Sequence, residues 1–512
     1  MPLAFSCLFP LLKGDFFMKV TQWTLLSVLS AAAMIGTLTT QAFAEVKLTK
    51  AFTDNAVLQR GVPVCVWGSA DAGEKVTVTF SGNTVETTAC DTGCWKVQLP
   101  AMPGTFEGKD LTVKGASNEI VLKNVVVGEV WICSGQSNME QPLNSWGQPR
   151  LSCSEEEFTG DYSFIRFNRI RHELKAEDSL NVNSDGWQMC KDNIQKNCTA
   201  CGFHFAVKLS KELNVPIGLI DSNWGGSNIN SWIPDEGWNN LPETVEPGKK
   251  LIAQRTADLA AGKPCGRGHA GGMYYAMLSP WKNYTVKGVI WYQGCSNAGE
   301  GEFYYFKQKA MILEWRKIWG DVPFYWVQLA NFRANEADPN SAGWGFVRNG
   351  QTMCLEVPKT GQAVTIDIGE EKDIHPRNKW DVGNRLARWA LANDYGKEGI
   401  VFCSPMMESV TFDGAKAVVK FNNVGSGLVV AKNVERKGIE CVEGTPNCFA
   451  VAGEDKNFKW AKAELVGTDT VVLTCEEVPA PKYVRFAFQN NPKDFNLYSK
   501  EGLPATPFHT EK

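Results

Sequence analysis

Val130-Trp-Ile-Cys-Ser-Gly-Gln-Ser-Asn-Met-Glu140 is an apolar run that ends abruptly in small, polar, turn-forming residues. With Val125-Val-Val127 before it, the run reads as a parallel strand buried on both faces, because such strands are continuously apolar rather than alternating. Gly135 then permits a sharp turn. Ser137 follows the carboxyl end of that strand, where open α/β sheets bind ligands and where a following helix directs its first amides. A hydroxyl there serves either as a nucleophile or as the N-cap of the next helix.

The same pattern recurs downstream. Residues 202–213 place Phe203, Ala206, Val207, Ser210 and Leu213 on one helical face, and Val215-Pro-Ile-Gly-Leu-Ile220 then reads as a strand. That strand runs into Asp221-Ser-Asn-Trp-Gly-Gly-Ser227, whose Gly225-Gly226 pair is either an ordinary turn or a place where a backbone N–H meets a ligand closely. Val286-Lys-Gly-Val-Ile-Trp-Tyr-Gln-Gly-Cys-Ser-Asn297 repeats the form, with Asn297 just past the strand end. A helix over 302–319, a strand over 324–329, a helix over 346–354 and a strand over 363–368 follow. Gly369-Glu-Glu-Lys-Asp-Ile-His-Pro-Arg-Asn-Lys379 then leads into a helix over 380–391. Alternating strands and helices of this kind predict an α/β fold with a parallel sheet. His375 is the one histidine with a carboxylate, Asp373, two residues away in such a loop; His204 reads as a structural or surface histidine.

Four strand ends or the loops that follow them thus offer Ser137, Gly225-Gly226, Asn297 and Asp373 with His375. Acyl transfer from an ester needs a hydroxyl nucleophile, a base that titrates near neutrality, a group that orients the base, and donors for the tetrahedral oxygen. Each role has a candidate.

The flanks differ in character. Residues 1–44 carry Lys19, an apolar stretch over 25–38 and Ala42-Phe-Ala44, which predicts a signal peptide cleaved before Glu45, with Met18 as an alternative start. A membrane anchor is the competing reading of that stretch; no later stretch is long and apolar enough to span a bilayer. The expected location is exported, periplasmic or secreted. Residues 45–124 read as a small antiparallel β-domain that packs against the core or binds carbohydrate, residues 125–395 as the catalytic domain, and residues 396–512 as a β-rich region. A net charge of −4 over 512 residues argues against a nucleic-acid partner. Of sixteen cysteines, Cys7 falls in the leader, so an odd number remains. Cys90 with Cys94, and Cys441 with Cys448, are spaced as local disulfides. Cys190, Cys198 and Cys201 lack the second cysteine or histidine pair that a zinc site needs, so no metal is expected.

Gly135-Gln-Ser-Asn-Met139, Trp224-Gly-Gly-Ser227, Trp291-Tyr-Gln-Gly294 with Ser296-Asn297, and Asp373-Ile-His-Pro376 with Asn378-Lys379 together resemble the sequence blocks of SGNH-type sialate O-acetylesterases. The likeness extends to Val484-Arg-Phe-Ala-Phe488, Asn496-Leu-Tyr498 and the 502–508 tail. It implies a flavodoxin-like three-layer α/β/α core, no cofactor, and an O-acetylated sugar as small-molecule or glycan substrate. It further implies Ser137 as nucleophile, His375 as base, Asp373 as its orienter, and an oxyanion hole from the Ser137 N–H, a Gly225 or Gly226 N–H and the Asn297 side chain. Cys295 stands where that family usually has Glu. The many SGNH enzymes with Asp three residues before His would place that residue at Lys372 here, although Asp-x-His is the ordinary form in this subfamily; Glu370 and Glu371 are the substitutes for Asp373. The sugar itself is open between sialate and other acetylated glycans such as xylan, with Trp146, Trp232 and Trp344 as candidate lining or core. A glycan-binding protein on a degenerate scaffold and a thiol nucleophile at Cys295 are the remaining readings.

Overall fold

The computed structural model describes residues 45–145, 153–334 and 337–511. The expected signal peptide and Trp146 lie outside them. Alternation along the quoted stretch explains the layers. Val130 and Ile132 pack with Val289, Trp291 and Trp326 in one buried cluster, while Trp131 and Cys133 pack with Ile290, Tyr292 and Tyr325 in another. Successive side chains of a strand leave on opposite faces, so a strand apolar at every position must be covered twice. Helix Tyr304–Trp319 closes the first face through Met311, Ile312 and Trp315. Ala200–Leu213 and Lys379–Asn393 close the second through Phe205, Leu209, Leu386 and Trp389. Sheet and helices form the expected α/β/α core.

Across the core sheet the strands run Ser184–Cys190, Tyr162–Ile170, Ile217–Asn223, Glu119–Gly135, Gly288–Tyr292, Phe324–Val327 and Thr360–Ala363. All neighbouring pairs are parallel except Ser184–Cys190 against Tyr162–Ile170. The chain fills one side of Glu119–Gly135 and then the other, which makes that strand the topological switch point where such sheets bind ligands.

Glu119–Gly135 is seventeen residues long. Its first half pairs with Val57–Gln59 and with Thr105–Lys114 of the N-terminal β-region, and its second half with the catalytic strands. One strand therefore crosses residue 124, and the described residues belong to one compact unit. The C-terminal region forms three small sheets, with a core that includes Val419, Phe421, Val471, Leu473 and Phe486.

Two expectations change. The run expected as a strand over 363–368 pairs only as Thr360–Ala363. Beyond it, Val364 and Ile366 turn into the C-terminal cluster, the Val364 carbonyl accepts from Arg385 (2.6 Å), and Thr365 Oγ1 donates to the Gln328 carbonyl (2.6 Å). The apolar run is buried, but side chains supply what a ladder would have supplied. The two expected disulfides are also absent, all described cysteines being free thiols. Backbone bonding closes the Cys90–Cys94 turn (Cys90 N–H to the Cys94 carbonyl, 2.8 Å) while Cys90 Sγ meets Thr92 Oγ1 at 3.0 Å. Cys441 and Cys448 adjoin strands of different sheets.

Candidate active site

Register brings the site together. Gly135 lies level with Asn223 on one side and Tyr292 on the other, so three loops leave the sheet at one height. Gly135 has φ +140°, and a Cβ there would stand 2.2 Å from the Tyr292 carbonyl oxygen. No side chain fits that contact. Gln136 is the cap residue and makes no side-chain cap, leaving Ser137 as the first residue of helix Ser137–Glu140. The Ser137 hydroxyl lies 2.9 Å from His375 Nε2. The geometry excludes the N-cap role and pairs the hydroxyl with a base.

Asp373 Oδ1 accepts from the His375 backbone N–H at 2.8 Å and stands 3.4 Å from His375 Nδ1. Its side chain is 53% exposed, so the contact is partly screened. Glu370 accepts instead from the Arg377 N–H at 2.9 Å, which leaves Asp373 as the carboxylate on the histidine. The histidine loop is tied to the nucleophile by Asn138, whose Nδ2 donates to the Ile374 carbonyl (3.0 Å) and whose Oδ1 accepts from Lys379 Nζ (2.5 Å). Lys379 is fully buried, and burial pushes its ammonium down to about 8. Burial also holds the His375 imidazolium below the ordinary histidine range; the charge of Lys379 adds to this and Asp373 opposes it.

The expected oxyanion donors differ in what they already bond. The Gly225 N–H is occupied, donating to Glu140 Oε2 at 2.5 Å. Gly225 is nevertheless a place of close approach, because a Cβ there would stand 3.3 Å from Ser137 Cβ. Gly226 (φ +70°) lines the cleft beside it. Asn297 is buried and its side chain is engaged: its Oδ1 accepts from the Ile229 N–H (3.1 Å) and Gln293 Nε2 (2.7 Å), and its Nδ2 donates to Glu300 Oε1 (2.9 Å). Gln136 links this loop to the nucleophile, Oε1 accepting from the Gly294 N–H at 3.1 Å. Cys295 reaches the cleft wall, but burial pushes its thiol up to about 12, so it is not a thiolate near neutral pH.

A cleft of about 530 Å³ is lined by Ser137, His375, Gly225, Gly226 and Cys295 together with Glu140, His172, Trp224, Ser296 and Ile374. His172 Nε2 stands 3.0 Å from Glu140 Oε1, and its ring lies on Trp224 at 4.3 Å, tilted 6°. Trp232 and Trp344 are buried away from this cleft, the Trp232 indole donating to Ser227 Oγ (3.0 Å). His204 is buried rather than exposed, and Glu157 lies 4.0 Å from it. A cleft of about 700 Å³ at the amino ends of the strands, lined by Arg60, Glu129, Lys287 and Tyr395, holds no serine, cysteine or histidine. Sequence reading passed over Gln136, Asn138, Glu140, His172 and Lys379. Three of these stand within the stretch that carries Ser137, and their type was the available signal, since buried polar side chains need partners.

The family described as carbohydrate esterase, sialic acid-specific acetylesterase, matches residues 127–392, just over half the chain. A carbohydrate acetylesterase of Xanthomonas citri has a crystal structure that superposes with a TM-score of 0.79 at 34% identity, covering 91% of this chain and 100% of that one. The chain belongs to this carbohydrate esterase family. The human sialate O-acetylesterase is 26% identical to this esterase, over 86% of this chain and 88% of the human one. The mouse sialate O-acetylesterase is 25% identical, over 89% and 93%. The matched family segment runs from the central strand into helix Lys379–Asn393 and so contains Ser137, Gly226, His172 and His375. The protein is thus an enzyme that hydrolyses carbohydrate O-acetyl esters, with a sugar as substrate.

Proposed function

We propose that this esterase removes acetyl groups from O-acetylated sialic acids through an acyl-enzyme on Ser137. The observation that carries the mechanism is the 2.9 Å contact between Ser137 Oγ and His375 Nε2 at the switch point of the sheet. His375 takes the hydroxyl proton as Oγ attacks the acetyl carbonyl, then gives it to the departing sugar oxygen. Water, deprotonated by the same imidazole, hydrolyses the acetyl-enzyme. Asp373 orients the ring and supports its charged form. The developing oxyanion is met by the N–H groups of Ser137 and Gly226, which have no partner among the described residues; Glu140 and Asn297, accepting from the Gly225 and Ile229 N–H groups, hold the loop that presents Gly226. The enzyme acts outside the cytoplasm.

A second reading keeps the mechanism and changes the sugar to another acetylated glycan. It is favoured by the 34% identical relative, which is named only as a carbohydrate acetylesterase. Acetate release from 9-O-acetylated sialic acid beside acetylated xylan separates the two. Release from the sialate is expected, with Ser137→Ala retaining less than about a thousandth of the rate, as when triads lose their nucleophile. Release from xylan alone would move the substrate, and a Ser137→Ala enzyme holding more than about a hundredth of the rate would remove Ser137 from its role.

A further inference from the structure

The loop Cys265-Gly-Arg-Gly-His-Ala-Gly-Gly272 reaches the Trp224–Gly226 turn that lines the cleft. Arg267 Nη1 donates to the Gly225 carbonyl at 3.2 Å, and its guanidinium carbon lies 5.8 Å from the centre of the Trp224 ring. The Gly225 peptide is therefore held at both ends, its N–H by Glu140 and its carbonyl by Arg267. Arg267 thus bonds the residue that abuts Ser137, and a Cβ on Gly226 would stand 3.7 Å from its Nη1.

The carboxylates that flank the mouth face groups other than Arg267: Glu140 meets His172 at 3.0 Å and Arg169 at 3.9 Å, Glu370 meets Arg377 at 3.4 Å, and Asp373 meets the His375 ring at 3.4 Å. Among the described residues no carboxylate pairs with Arg267, which is exposed. One of its five N–H donors is spent on Gly225. The others keep the planar fork that matches a carboxylate.

We propose that Arg267, supported on Trp224 at the rim of the Ser137 cleft, is the specificity-determining residue that binds the carboxylate of an acidic acetylated sugar. The inference rests on the esterase reading of the same cleft and deepens it, since a neutral glycan offers this guanidinium no counter-ion. A charge-assisted, forked contact predicts that the free acid is used about 10- to 100-fold better than a neutral counterpart.

The test compares kcat/KM for 9-O-acetylated sialic acid and for its carboxamide, in the wild type, Arg267→Ala and Arg267→Lys. The wild type should prefer the acid at least tenfold, mainly through KM, and lose part of that preference in high salt. Arg267→Ala should bring the ratio close to one, and Arg267→Lys should restore part of it as a point charge without the fork. Equal ratios in wild type and Arg267→Ala, or a wild-type ratio near one with both substrates hydrolysed, would overturn the proposal while leaving the esterase reading intact. Hydrolysis of neither substrate, with wild type matching Ser137→Ala, would overturn both. Thermal midpoints of the variants report whether the exposed loop change has disturbed folding.

Discussion

The histidine is where single residues decide the chemistry. Burial and Lys379 hold His375 below the ordinary histidine value of about 6.5, so the base is neutral at neutral pH and stays so into mild acid. The acid limb of kcat/KM, which reports the base of the free enzyme, should lie below that value. Asp373→Asn removes the charge that raises it, so the limb should move further toward acid. The rate should fall by about a hundredfold, less than for Ser137→Ala, because the contact is long and half-exposed. Lys379→Met should move the limb the other way. A pH profile of the three enzymes checks the signs. The same depression makes the unfolded chain bind the proton first as pH falls. The contribution of His375 to stability is therefore complete above about 6.5 and lost as pH falls through the folded-state value.

Among the elements, those with one simple period were legible and those with buried polar groups were not. Residues 202–213, 302–319 and 380–391 carry a helical period, and the helices stand within two residues of it. Strand Tyr162–Ile170 escaped notice because Arg166 and Asn168 interrupt its apolar text, although both are buried. Arg166 donates to the carbonyls of Asn55 (3.0 Å) and Asn124 (2.5 Å), a partnership between distant segments that no local pattern can reveal. The proposed nucleophile was legible because it follows a strand end, and the proposed base because Asp373 and His375 stand together in a loop before a helix. Their supports were not, because Glu140, Asn138 and His172 act across loops far apart in the chain. Arg348 shows the energetic side of this. It is fully buried and donates to the carbonyls of Leu329, Ala330, Gln489 and Asn490 at 2.6–2.9 Å, fastening the C-terminal segment to the core. Arg348→Met should strand those carbonyls and cost roughly 3–5 kcal/mol, by analogy with breaking a buried ionic network. A denaturation midpoint that does not move would contradict this role.

Over the whole molecule, the N-terminal β-region and the catalytic sheet share Glu119–Gly135. Val57–Gln59 pairs with Val126–Gly128, and Thr105–Lys114 with the strand's first half. Without residues 45–118 the strand that carries Ser137 would present unpaired backbone and a bare apolar face, which is a template for aggregation. A chain of residues 119–512 is expected to be insoluble or to unfold without cooperativity. A soluble, active truncation would show that the β-region is an appendage. The layers themselves followed from the sequence, because a strand apolar at every position leaves no alternative to cover on both faces.

The central claim is that Ser137 forms the covalent intermediate. The direct measurement is to treat the protein with an alkyl phosphonate ester and locate the adduct by peptide mass spectrometry. The account predicts one phosphonylated site, Ser137, with loss of activity in step with labelling and much slower labelling in His375→Ala. Inactivation with the adduct on Cys295 or any other residue, or full activity with Ser137 modified, would contradict it.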